Sequence, residues 1–141
     1  MKMHFTVESW ESIADDISYW VPLMNYFFNE SNSIEIHCWT EEEQVNEEIQ
    51  QELPELPVKK ELYMSIYTGA LTEEIIGFLT KNPFKENGRL KWFSIFLSSN
   101  DSHLFSSEHY GTEFYARNLN VEQIKFIKSV MPEDINLLIW E

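Results

Sequence analysis

The chain has few basic residues. It carries 10 Lys and Arg against 24 Asp and Glu, which gives a formal net charge of −14 at pH 7. Proteins that bind the phosphate backbone of nucleic acid or an anionic lipid surface need clustered cations. The composition therefore argues against a nucleic-acid-binding protein and against a protein that lies on membranes.

Glycine and cysteine are also scarce. The four glycines, Gly69, Gly77, Gly88 and Gly111, are too far apart to form a loop that cradles a phosphate. Nucleotide and dinucleotide sites are thus disfavoured, and we expect no cofactor. The single cysteine, Cys38, rules out an intramolecular disulfide framework.

Long apolar runs are missing as well. The longest runs, such as residues 135–140, fall far short of the ~20 residues that a membrane-spanning helix needs. Residues 1–8 lack the apolar stretch of a signal peptide. Together with the single cysteine, these absences predict a soluble protein of the cytoplasm.

Hydrophobic and aromatic residues are plentiful, at 43% and 15% of the chain. This content lies far from the low-hydrophobicity signature of disordered segments. A length of 141 residues fits one domain, because domains usually span ~100–200 residues. We therefore expect a single globular domain over residues 1–141, with the acidic groups on its surface.

Hydrophobic spacing predicts strands and helices that alternate along much of the chain. The predicted order is strand, helix, strand, helix, strand, helix, three strands, helix, strand. Helix starts are predicted at Thr40, which forms a capping-box pattern with Glu43, at Thr72, and at Asn120. The fold class is α+β, with a mixed, largely antiparallel sheet of about five to seven strands and three or four amphipathic helices packed on it.

Four segments carry further structural expectations. Residues 3–7 read as a strand, and a helix capped by Ser9 follows, which Pro22 ends or kinks. Residues 90–97 are apolar on both faces and are predicted to form a central strand. Residues 135–140 are predicted to form a closing strand.

Charge is concentrated in the first part of the chain. Residues 1–58 hold 13 acidic residues and one basic residue, a net charge of −12, whereas residues 59–141 hold 11 and 9, a net of −2. The helix predicted after Thr40 has only Val45, Ile49 and Leu53 as a narrow apolar line. Most of its circumference is therefore expected to face solvent.

This acidic helix is the main candidate site. Like charges three or four residues apart destabilise a helix by ~0.2–0.5 kcal/mol per pair, and a cationic partner would relieve that repulsion. The alternative is that the charge only keeps a thin helix soluble. Trp39 is the aromatic anchor that interfaces favour. The predicted partner-binding residues are Trp39, Glu41, Glu42, Glu47, Glu48, Glu52 and Glu55.

Catalytic patterns are weak. His103 and His109, with Asp101 and Glu108 beside them, are weak candidates for a metal site, but their spacing matches no ligand pattern and an ordinary loop is favoured. A dyad of Cys38 with either histidine is disfavoured, because Cys38 lies in a strand that looks buried. We therefore predict no catalytic residues and no enzymatic activity.

These features favour an acidic binding or inhibitor protein. Its size and charge are typical of immunity proteins, which neutralise a basic toxin such as a nuclease by occluding its active site or substrate-binding surface. The likeness is one of size and charge alone. The open alternatives are a small hydrolase or metal-binding enzyme using the segment of His103 and His109, a phage-type DNA-mimic inhibitor, and a scaffold module solubilised by its charge. The expected partner is a basic protein, and the expected state is a monomer or weak dimer.

Overall fold

The computed structural model describes residues 2–6, 18–132 and 135–141. These residues form eight strands and four helices in the α+β class that the hydrophobic spacing predicts. In chain order they are β1 Lys2–Thr6, α1 Trp20–Phe28, β2 Ser33–Trp39, α2 Glu43–Glu52, β3 Val58–Lys60, β4 Met64–Ala70, α3 Glu73–Lys81, β5 Ser94–Ser99, β6 Ser102–Glu108, β7 Glu113–Ala116, α4 Val121–Val130 and β8 Asn136–Trp140.

All eight described strands lie in one sheet, and every neighbouring pair is antiparallel. The strand order is β3-β4-β2-β5-β6-β7-β1-β8. β5 is therefore a central strand, as its apolar sequence predicts, although it spans Ser94–Ser99 rather than residues 90–97. β8 lies at one edge of the sheet and β3 lies at the other.

The strand count exceeds the predicted range because of β3. Its residues pair with β4, with Val58 opposite Tyr67 and Lys60 opposite Ser65. Three residues that include two lysines carry too little alternation to be recognised as a strand. β3 follows Pro57 and is formed by its pairing with β4 rather than by its own propensity.

Alternate strand residues enter one hydrophobic core together with the apolar sides of the helices. Phe27 of α1 stacks on Phe105 of β6 at a centroid distance of 4.0 Å, and Phe105 packs against Phe114 of β7. Trp20 donates a hydrogen bond from Nε1 to Ser107 Oγ at 2.9 Å. Burial of each such side chain contributes about 1.5–3 kcal/mol, so this layer is what holds the helices to the sheet.

The predicted helix starts have different outcomes. Thr72 caps α3 by accepting from the Ile75 N–H, and Asn120 and Gln123 form the predicted capping box of α4. The predicted capping box at Thr40 is wrong, because the N-cap position of α2 is Glu42, two residues later, and no side chain caps the helix. Thr40 instead donates its N–H to the Tyr63 carbonyl in the turn that leaves β2.

Pro22 does not end a helix among the described residues. It lies in the first turn of α1, where its missing N–H would have no intrahelical partner in any case. The predicted helix after Ser9, and the end of the first predicted strand at Val7, lie outside the described residues. β8 confirms the closing strand predicted from residues 135–140.

Candidate acidic binding surface

Helix α2 is fixed to the sheet by the narrow apolar line that its sequence predicts. Val45, Ile49 and Leu53 are all buried in the core. Asn46 is buried beside them, and its amide donates to the carbonyls of Trp39 and Glu42 at 3.0 Å each. Its side-chain oxygen accepts from Tyr67 Oη at 2.7 Å, which ties α2 to β4. The rest of the helix surface is left to polar and acidic residues.

Two of the predicted partner-binding glutamates are engaged within the fold. Glu42 pairs with Lys85 at 3.1 Å and also accepts a hydrogen bond from Tyr110 Oη. Glu48 pairs with Lys91 at 2.8 Å. Both lysines lie in the segment between α3 and β5, so these carboxylates clip α2 to that segment. The Glu42 side chain is only 13% exposed, so little of its carboxylate is accessible to a partner.

A groove of about 380 Å³ runs between α2 and α3, and we call it the acidic groove. Its carboxylates come from both helices, and it contains one lysine and one aromatic ring. Phe78 is half-buried in the groove and packs against Trp92 at a centroid distance of 5.4 Å. The lining residues are Glu48, Glu52, Glu73, Glu74, Gly77, Phe78, Lys81 and Asn82.

A second groove of about 470 Å³ adjoins the acidic groove and shares Glu74 with it. We call it the proline groove, because the connector of residues 53–57, with two prolines, forms one wall. Gly69 forms part of the opposite wall, and a Cβ atom there would lie 2.8 Å from Leu56 Cδ1. Glycine at this position therefore permits the close approach between the connector and β4.

The predicted partner-binding residues do not share one surface. Glu48 and Glu52 line the acidic groove, and Glu55 lines the proline groove. Glu47 borders a shallow pocket on another side of α2, and Glu41 lies exposed in the turn before the helix. Trp39 is half-buried on β2 and packs against Phe93 at a centroid distance of 4.9 Å.

Sequence reasoning missed Glu73, Glu74 and Phe78 as surface residues of this site. The two glutamates follow the Thr72 cap, where negative charge is explained by the helix dipole alone. Their place opposite Glu48 and Glu52 depends on how α3 packs beside α2. No local pattern of residues carries that information.

The two candidate metal-binding histidines have separate environments. His109 Nδ1 lies 2.7 Å from Glu113 Oε2, and Glu113 also binds His4 and Tyr115. Burial opposes ionisation of Glu113, but these hydrogen bonds outweigh it and lower the pKa of its carboxyl. His103 lies on β6 near Phe96, and burial together with Arg117 lowers the pKa of its imidazole. The described residues contain no group of three or more His, Cys, Asp and Glu able to hold a metal ion.

Cys38 is a buried thiol on β2. Burial raises its pKa to about 12, and the nearby Glu42 carboxylate raises it as well, against the opposing effect of Lys85. The thiolate form is the nucleophile in cysteine catalysis. Cys38 is therefore protonated and poorly nucleophilic near neutral pH, in line with its predicted place in the core.

Within the described parts of the chain, no helix has the length and apolar character to cross a membrane. No protein-family model matches the chain, and neither a curated protein nor a solved structure matches it significantly.

Proposed function

We propose that this protein is an acidic inhibitor that neutralises a basic protein, in the manner of an immunity protein that neutralises a nuclease toxin. It would do so by covering the cationic surface with which the toxin holds its substrate. The observation that carries the proposal is the acidic groove, where four glutamates and one lysine line a single cleft. Clefts lined by charge of one sign focus the electric field and raise the association rate of an oppositely charged partner.

The chemistry of the acidic groove suits a Lys or Arg side chain. The cation would lie among Glu52, Glu73 and Glu74, which are exposed, while its aliphatic stem would lie against the Phe78 ring. In the adjoining proline groove, half-buried Leu56 is accessible to apolar side chains that flank this cation in the partner. An apolar centre with a charged rim is the usual anatomy of a protein–protein interface.

The enzyme alternative has less support. His109 is bound to Glu113, and His103 is half-buried near Phe96 on another strand. The DNA-mimic alternative uses the same carboxylates and differs only in which basic protein is bound. A cytoplasmic location, where Cys38 stays reduced, belongs to the proposal.

The proposal is tested with two triple variants that remove equal charge. E52Q/E73Q/E74Q neutralises the acidic groove, whereas E41Q/E43Q/E47Q removes three exposed carboxylates elsewhere around α2. We expect a basic protein that binds the wild type and the second variant to bind the groove variant about 100-fold more weakly, since each desolvated charge contributes about 1 kcal/mol. Calorimetry at two salt concentrations with the purified partner measures this loss.

A third variant separates shape from charge. A Cβ atom at Gly77 meets no atom within 4 Å, so G77L would fill the acidic groove without changing its charge or straining α3. We expect G77L to weaken binding as well.

Titration of the partner's nuclease activity gives the functional result, and we expect inhibition to be complete at one inhibitor per nuclease. Equal inhibition by the wild type and the groove variant, or binding that leaves the nuclease active, would overturn the proposal.

A further inference from the structure

The segment between α3 and β5 contains a sharp turn at residues 85–89. The Gly88 N–H donates to the Lys85 carbonyl at 2.9 Å, and the Lys85 N–H donates to the Arg89 carbonyl at 2.7 Å. Gly88 has a φ of 84°, in the left-handed region that glycine adopts without strain. Asn87 precedes it and is exposed. The turn therefore presents an Asn–Gly pair to solvent.

The Asn87 side chain is bonded across the peptide that follows it. Its Oδ1 accepts a hydrogen bond from the Arg89 N–H at 3.0 Å. The ring of atoms that this bond closes contains both Asn87 Cγ and the Gly88 nitrogen. The hydrogen bond thus limits rotation of the side chain and keeps these two atoms close, and a single new bond between them would close a five-membered ring.

We propose that Asn87 is a site of spontaneous deamidation. The Gly88 nitrogen, once it has lost its proton, attacks Asn87 Cγ, and the Cγ–Nδ2 bond breaks. The leaving amide nitrogen takes up a proton and departs as ammonia, which leaves a cyclic imide. Water then opens the imide at one of its two carbonyl carbons. Opening at Cγ gives aspartate, opening at the main-chain carbonyl gives isoaspartate, and no step involves oxidation or reduction.

Two features of the turn favour this attack. Negative charge develops on Asn87 Oδ1 as the nitrogen attacks, and the Arg89 N–H already donates to that oxygen, as a donor in an oxyanion hole does. Residue 88 has no side chain to obstruct the approach of its nitrogen to Cγ. The hydrogen bond from the Gly88 N–H to Lys85 opposes the attack, so the turn has to open first. Exposed turns open at little cost in free energy.

The other asparagines of the chain lack this combination. Asn87 is the only one that glycine follows. Asn82 is also exposed and lies in the same segment, but it is followed by Pro83, which has no N–H to supply the nucleophile. Asn46 is buried, and its amide nitrogen donates to two carbonyls. We therefore expect Asn87 to deamidate first.

Incubation of the folded protein for several days in mildly alkaline buffer tests the proposal. By mass spectrometry, we expect the proteolytic peptide of residues 86–89 to gain the mass that separates an acid from an amide. The peptide that contains Asn82 is the internal control and should stay unchanged. N87Q should release ammonia far more slowly, since glutamine would have to close a six-membered ring. An Asn87 that stays intact, or that reacts after another asparagine, would overturn the proposal.

Two variants at position 89 test the role of the Arg89 N–H. R89A and R89P both lose the guanidinium group, but only R89P also loses the N–H. We expect Asn87 to deamidate about tenfold more slowly in R89P than in R89A, less than the ~100-fold or more that an active-site oxyanion donor contributes, because the turn is open to water. Equal rates in the two variants, with both folded by circular dichroism, would overturn the role of this donor. The wild-type experiment decides the site itself whether or not R89P folds.

The two products should differ in stability. Lys85 and Lys91 lie in and beside the turn, and their ion pairs attach this segment to α2 and its N-terminus. Isoaspartate carries the main chain through Cβ, which lengthens the turn, whereas N87D keeps the acceptor for the Arg89 N–H. We expect N87D to unfold at the wild-type temperature and aged protein that contains isoaspartate to unfold a few degrees lower. Thermal denaturation compares them, and equal unfolding temperatures would overturn this consequence. No partner is required, so the result does not depend on the proposed function.

Discussion

The two ends of the sheet use glutamate in different ways. At the end near β3 and β4, Glu42 is held by Lys85 and Tyr110, while Glu52, Glu73 and Glu74 stay exposed around a groove. At the end near β7, β1 and β8, Glu113 binds three side chains and the edge strand carries no charge. A net charge of −14 is thus a mixture of carboxylates engaged within the fold and carboxylates exposed to solvent, and only their contacts separate the two kinds.

Removal of Glu42 should have the largest effect on stability. We expect Glu42→Ala to lower the free energy of unfolding by about 2–3 kcal/mol, because Lys85 and the Tyr110 hydroxyl lose their shared, largely buried acceptor. Glu41→Ala, one residue away and exposed, should change it by less than about 0.5 kcal/mol. Urea denaturation at pH 7 measures both. Similar losses in the two variants would show that Glu42 belongs with the exposed carboxylates.

Removal of Glu113 tests the opposite end and should have a smaller, pH-dependent effect. We expect Glu113→Gln to cost about 1–2 kcal/mol at pH 7, because His4, His109 and Tyr115 donate to a charged acceptor. The lowered pKa of Glu113 means that its stabilisation is present above its ordinary pKa and is lost as pH falls through the lower folded value.

The difference between wild type and Glu113→Gln should therefore shrink from about pH 4.5 downward. Denaturation curves from pH 7 to pH 3 measure it, with the exposed Glu122→Gln as control. Glu108, which lies opposite Glu113 on β6, is present in both proteins and cancels in the comparison. A difference that persists unchanged at pH 3 would contradict this role for the charge of Glu113.

The helix caps give the smallest expected effect. Thr72→Ala should cost about 1 kcal/mol, because its hydroxyl accepts the Ile75 N–H at the start of α3. Thr40→Ala should cost much less, because α2 begins at Glu43 and is held by contacts distant in sequence. Thermal denaturation of the two variants compares α3, which has a side-chain cap, with α2, which is held by tertiary contacts. Equal costs would mean that Thr40 stabilises α2 after all.

Features that depend on neighbouring residues were predictable from the sequence. The caps at Thr72 and Asn120, the alternation in β2 and the apolar line of α2 all follow from residues within four positions of one another. Thr40 shows the limit of such patterns. Its spacing to Glu43 satisfies the capping-box pattern, but a turn closed by the Glu42 N–H on the Trp39 carbonyl prevails there.

Features that depend on distant residues were not predictable. Lys85 and Tyr110 lie 43 and 68 residues from Glu42, so nothing near Glu42 marks it as structural. The acidic groove likewise exists only once α3 packs beside α2. Tyr67 of β4 is a further example, because its burial depends on its hydrogen bond to Asn46, 21 residues away on α2.

The position of β1 has a consequence for the order in which the chain folds. Met3 pairs with Ala116 on one side and with Ile139 on the other. Closing a loop of more than a hundred residues is slower than forming the hairpin of β5 and β6. The paired residues of that hairpin lie within about a dozen positions of one another. During synthesis, β2, β4, β5 and β6 can pair while β1 still lacks both neighbours. β1 is therefore synthesised before these strands but is among the last to pair. Until then its two unpaired edges can pair incorrectly with other chains.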